Sequence, residues 1–173
     1  FKLDQAISAK QPQIMTRMAS NAAVAHVELD PVRYPMSQSA PWGLAQVQAD
    51  QVSDADAANM TVCVIDSGYQ RDHEDLAANN HSGTNDSGTG NWFEAGGSHG
   101  THVAGTIAAV SNDTGVVGIL PNAKVNMHIV KVFNASGWGY SSDLVTAIQT
   151  CADNGAKVVN MSLGGGAPSN AER

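Results

Sequence analysis

The sequence predicts an α/β domain with a doubly wound parallel sheet, and three observations carry that prediction. Residues 61–65, TVCVI, form a short, β-branched and almost wholly apolar run, the pattern of a strand buried on both faces. Residues 98–110, SHGTHVAGTIAAV, put Val103, Ile107 and Val110 on one helical face among Gly100, Ala104, Gly105 and Ala108, which makes a slim helix able to pack closely on a sheet. Residues 125–133, 141–155 and 157–161 then read as strand, helix and strand. Strands alternating with helices bury a parallel sheet under helices on both faces.

Taken in order, residues 1–36 differ from the rest, since no glycine occurs before Gly43. Ile7, Ile14, Met15 and Met18 suggest a weak amphipathic helix over 4–18, interrupted near Pro12, and 23–27 with Val32 read as a strand stopped by Pro31 or Pro35. This piece has too little apolar surface to stand alone and needs a partner surface. The strand at 61–65 ends at Asp66-Ser67-Gly68, and residues 77–97, rich in Asn, Gly and Ser, read as a loop. Ser98 occupies the N-cap position of the helix that follows. After the strand at 125–133, Ser141 or Ser142 caps a helix carrying Leu144, Val145, Ile148 and Cys151, Gly155 ends it, and 157–161 is the third strand.

Composition narrows the function classes. An apolar content of 42% excludes wholesale disorder, and nine basic against sixteen acidic residues, a net charge of −7, disfavours a nucleic-acid partner. No uncharged apolar run approaches the roughly 18 residues that a membrane-spanning helix needs, which disfavours a membrane partner. Cys63 and Cys151 lack the spacing of a zinc site and are either two buried thiols or one disulfide. Gly88-Thr89-Gly90 fails as a dinucleotide fingerprint, because Phe93 stands where the pattern needs glycine.

In doubly wound sheets, ligands bind beyond the carboxyl ends of the strands. Asp66 ends the first strand, Ser162-Leu163-Gly164 follows the third, and His99 opens the first helix. Alone, Asp66 reads as a turn residue and His99 as a structural histidine. Together they supply the orienting acid and the base of a nucleophilic triad. His102 lacks the glutamate and spacing of a zinc peptidase and reads as a packed, hydrogen-bonded core histidine, so metal-dependent hydrolysis at His99 and His102 is the weaker enzyme class.

The segments VIDSG and SHGTHVAGT closely resemble the motifs around the catalytic Asp and His of the subtilisin-like serine proteases. The resemblance implies that Asp66 is the triad acid and His99 the base, in the chain order Asp, His, Ser. KVNMHIVKVF followed by NASGWGY resembles one wall of that family's substrate cleft, with Gly137 and Gly139, and NMSLGG resembles the opposite wall, with Ser162, Leu163 and Gly164. The polypeptide substrate would lie between them as an added strand. Ser67, Ser98 and Ser162 are the local candidates for a nucleophile, yet none lies in a Gly-x-Ser-x-Gly elbow. The family's serine motif and oxyanion Asn are expected beyond Arg173. The resemblance also implies structural calcium, held by Gln38, Asp75 and Asn112 side chains with carbonyls of Val110, Thr114 and Val116. AVAHVELDPVRYPM resembles the end of the family's ferredoxin-like inhibitory propeptide, so residues 1–36 read as part of a propeptide cleaved between Met36 and Ser37, and 37–173 as the N-terminal half of a secreted peptidase domain. Its partners would be polypeptide substrate, its own propeptide and the C-terminal half of the domain. A non-catalytic pseudoprotease or calcium-stabilised inhibitory fragment is the rival reading.

Overall fold

The computed structural model describes residues 11–27, 38–137 and 141–165, and the chain divides into two compact units, Phe1–Pro35 and Met36–Arg173. In the first unit, α1 spans Gln11–Ala19. Pro12 does not interrupt this helix. The strand expected at 23–27 does not form. Asn21 closes a turn there, its Oδ1 accepting from Ala23 N at 3.0 Å and its carbonyl from Val24 N at 2.9 Å. An Asn side chain that bonds its own backbone competes with a sheet ladder, and here the turn wins. Residues 4–10 of the expected helix, Val32 with its flanking prolines, and the cleavage pair Met36 and Ser37 lie outside the described residues.

The second unit is a four-stranded, wholly parallel sheet in the order β2-β3-β1-β4, built from β1 (Thr61–Asp66), β2 (Asn80–Asn85), β3 (Asn126–Lys131) and β4 (Val158–Asn160). The central strand is the apolar one, as burial on both faces demands. The segment 77–97 is not a loop throughout, since Asn80–Asn85 pairs with β3 in register from Asn80 opposite Asn126 to Asn85 opposite Lys131. Its sequence, NHSGTN, carries no apolar signal because it is an edge strand with mostly exposed side chains.

After the short helix α2 (Trp42–Gln46), α3 (Ser98–Ala108) packs on one face of the sheet and α4 (Ser141–Asp153) on the other. Val62, Val64, Met127 and Ile129 meet Ala104 and Ala108 of α3, while Cys63, Ile65, Val130 and Val132 meet Ala147 and Cys151 of α4. Cys63 and Cys151 are joined as a disulfide, buried at 0% exposure, which ties β1 to α4. The N-cap of α3 is Gly97 rather than Ser98, and no side chain caps it. At the carboxyl end of α4, Gly155 adopts φ +74° and donates to Ala152 O, a left-handed stop of the kind glycine favours.

Candidate active site

Because β1 lies between β3 and β4, the segments that leave those two neighbours flank its carboxyl end. Asp66 is the last residue of β1, fully buried and opposite Lys131 of β3. Its carbonyl accepts from Val132 N at 2.9 Å, and its Oδ1 accepts from Ser67 N at 2.7 Å. The chain can leave this strand end sharply because Gly68 adopts φ +87°, packed against Glu94 O and the Lys131 stem.

His99 arrives from the first turn of α3, with its Nδ1 2.9 Å from both Asp66 Oδ1 and Oδ2. The imidazole is 60% exposed and the carboxylate 0%, so one ring nitrogen is held by a buried acid while the other edge of the ring faces outward. The close approach depends on Gly100, where a methyl group would collide with Gly68 O and crowd Asp66 Oδ1. Gly100 N donates to Ser67 Oγ at 3.2 Å, fastening the helix start to the strand end. A carboxylate on Nδ1 selects the tautomer with the proton on that nitrogen and leaves Nε2 able to accept one.

Of the local serines, Ser67 is buried with its hydroxyl accepting from Gly100 N, Ser162 Oγ donates to Asn160 Oδ1 at 2.9 Å, and Ser98 is exposed on the cleft along α3. Of the two expected cleft walls, residues 133–137 follow β3 and residues 161–164 follow β4, on opposite sides of the β1 end. Gly137 has φ +77°, Leu163 packs against the α4-side core, and a Cβ on Gly164 would meet no atom within 4 Å. Gly139 lies outside the described residues.

The six expected metal-site residues converge at the far end of α3. Asp75 is 3% exposed; its Oδ2 accepts from Val116 N at 3.0 Å, while its Oδ1 is buried without a partner among the described residues. Gly115, at φ +54°, lies so close to Asp75 that a side chain there would overlap the carboxylate. Gln38 Nε2 donates to Val110 O at 3.0 Å and Asn112 Oδ1 at 3.3 Å, and Asn112 Oδ1 also accepts from Thr114 N and Oγ1. The donor set is all oxygen and includes an orphaned carboxylate oxygen, which fits a hard cation such as calcium. Coordination by Gln38 would require its amide to turn over, because its nitrogen now faces these oxygens.

His102 is not the core histidine that the sequence suggests. It is exposed and lines a cleft of about 860 Å³ along α3, together with Trp42, Leu44, Val47, Ser98 and Ile119. Three further groups escaped the sequence reading. Lys131 is 3% exposed, and burial lowers its pKa against the opposing pull of Glu94. Tyr69 is fully buried two residues beyond Ser67, and burial raises its pKa to about 12. His128 is buried with Nδ1 2.8 Å from Ser82 Oγ, and burial lowers its pKa. Only Lys131 carried a sequence signal, as a lone charge within the apolar run IVKVF.

Comparison with known proteins agrees with this architecture. Residues 57–172 match the sequence profile of the subtilase family, peptidase S8. The chain is 39% identical over 150 residues to subtilisin E of Bacillus subtilis (strain 168), covering 86% of this chain and 39% of that protein. It is 36% identical over 160 residues to an alkaline protease of Shouchella clausii, covering 91% of this chain and 41% of that protein. Among solved structures it superposes with TM-score 0.73 and 59% identity on the psychrophilic subtilisin-like protease Apa1 from the Antarctic psychrotroph Pseudoalteromonas sp. AS-11, covering 78% of this chain and 32% of that one. The chain therefore spans about two fifths of the length of the curated relatives it matches. With the profile covering most of the sequence and a buried Asp and a half-open His meeting where the motifs put them, the chain belongs to the subtilase family.

Proposed function

We propose that these residues form part of a serine endopeptidase in which Asp66 is the orienting acid and His99 the general base and acid. The observation that carries the reading is the double approach of His99 Nδ1 to the buried Asp66 carboxylate at the carboxyl end of the central strand. Nε2 would take the proton of a serine hydroxyl as its oxygen bonds to the peptide carbonyl carbon and the carbonyl electrons move onto oxygen. When the carbon–nitrogen bond breaks, Nε2 would return that proton to the leaving amine, and water would repeat the sequence to release the acyl group. On this reading the nucleophile and the oxyanion donor come from outside the 173 residues, which hold no counterpart of the family's serine motif.

The substrate would be an extended polypeptide added as a strand between residues 133–139 and 162–164. Gln38, Asp75 and Asn112, with the carbonyls of Val110, Thr114 and Val116, would hold a structural calcium ion, which supplies charge to satisfy Asp75 Oδ1. The apolar cleft along α3 and the exposed Val158 and Val159 of β4 suit coverage by the remainder of the peptidase domain. Residues 1–36 act as an inhibitory propeptide cleaved after Met36, which N-terminal sequencing of the mature protein would check. Secretion belongs to the same reading.

The decisive test uses the full-length protein with a serine-directed fluorophosphonate and a peptide substrate. Covalent labelling of one serine together with peptidase activity is expected. Asp66→Asn is expected to lower kcat by on the order of 10⁴-fold, the loss known for the triad acid of subtilisin itself rather than a figure derived from this geometry, with the fold kept. An unlabelled protein without peptidase activity would overturn the proposal.

A further inference from the structure

Lys131 is a costly residue to bury, and it stands at the end of β3 directly opposite Asp66. Its Nζ donates to two main-chain carbonyls, Asn91 O at 3.1 Å and Glu94 O at 2.7 Å. Its own carbonyl accepts from Asp86 N at 3.0 Å and from Thr89 Oγ1 at 3.3 Å. One residue therefore grips both the start and the end of the connection from β2 to α3. Its aliphatic stem lies against Gly68 so closely that a Cβ there would clash with it.

The connection has little stiffness of its own near the helix it feeds. Between Glu94 and His99 run Ala95, Gly96, Gly97 and Ser98, and two successive glycines leave the backbone free to reorient. The direction in which α3 starts is set by anchors instead: Lys131 on Asn91 and Glu94, Tyr69 N on Trp92 O at 3.1 Å, and Gly96 N on Ser67 O at 2.7 Å. The Lys131 contacts are the ones made by an ammonium to neutral acceptors, which are stronger than neutral hydrogen bonds. Their loss would leave Glu94 O, five residues before His99, without a partner among the described residues, and Asn91 O with only the Glu94 N bond of its own turn.

We propose that Lys131 is a positioning residue for the Asp66–His99 pair, holding the 86–96 connection so that His99 Nδ1 meets both carboxylate oxygens. The inference rests on the endopeptidase reading for its catalytic consequence, but the geometry it concerns is readable without turnover.

The test takes full-length protein labelled with ¹⁵N at histidine, as the natural sequence and as Lys131→Met, Lys131→Gln and Lys131→Arg. Lys131→Met keeps the stem and removes the charge; it is expected to fold, to lose the low-field Nδ1 proton resonance of His99, and to lower kcat at least tenfold with KM changed less than twofold. Lys131→Arg keeps the charge in a broader head and is expected to recover part of both signals. Lys131→Gln retains one donor and is read in the same way should the methionine variant fail to fold. A folded methionine or glutamine variant with the His99 resonance and kcat unchanged would overturn the proposal. So would failure of both to fold, since Lys131 would then hold the whole domain rather than the pair. If no form cleaves peptide, the endopeptidase reading fails separately, and the His99 resonance still decides whether Lys131 positions the pair.

Discussion

Asp75 and Asp66 are both buried acids close to α3, and their surroundings give them opposite characters. Asp66 has both oxygens on His99 Nδ1, with Ser67 N as a further donor. Asp75 has one oxygen bonded to Val116 N and the other buried without a partner, a condition that costs on the order of 1 to 3 kcal/mol unless something compensates it. A bound cation would do so. Thermal unfolding of the full-length protein in calcium and in excess chelator should therefore differ, by roughly 3 kcal/mol when calcium is at a hundred times its dissociation constant. Asp75→Asn should abolish most of that difference. An unchanged melting temperature on chelation would remove the calcium assignment.

At the scale of the elements, the sheet contains a titratable liability where its edge strand meets its neighbour. His128 of β3 is buried with its Nε2 lacking a partner among the described residues, and only Ser82 of β2 engages Nδ1. Burial lowers the pKa of His128 and likewise that of His81 on β2, where the Arg71 charge adds to the effect. The unfolded chain then binds protons at a higher pH than the folded one, so stability falls as pH drops below the ordinary imidazole value of about 6.5 and levels off below the lowered folded values. Urea unfolding from pH 7.5 to 5 should show this decline. In His128→Gln the decline should be shallower, and an identical slope in the variant would assign the effect to other groups.

The disulfide crosses from the central strand to the helix on one face, with a sequence separation of 88. Replacing both Cys63 and Cys151 by Ser should lower the unfolding free energy by roughly 2 to 5 kcal/mol, mainly through the freed unfolded chain. Equal stability in a denaturant titration would show that packing alone holds α4. His102 is exposed because it faces the apolar cleft along α3, on a helix face that none of the described residues covers. The elements whose signal is local can be read along the chain. Val62, Cys63, Val64 and Ile65 are apolar in unbroken succession because β1 is buried on both faces, and the small residues of α3 mark where it approaches the sheet. Asp66 and His99 were legible because each stands at the end of such an element. The edge strand β2 was not, because it is recruited by the free ladder of β3 rather than by apolar side chains of its own. Neither were the turn at Asn21, which side-chain bonding favours over a strand, nor the grip of Lys131 on Asn91 and Glu94. For β2 and the Lys131 grip the reason is that hydrogen bonds to main-chain groups distant in sequence leave no periodicity along the chain for a pattern to reveal, whereas at Asn21 a local side-chain bond outweighs the strand pattern.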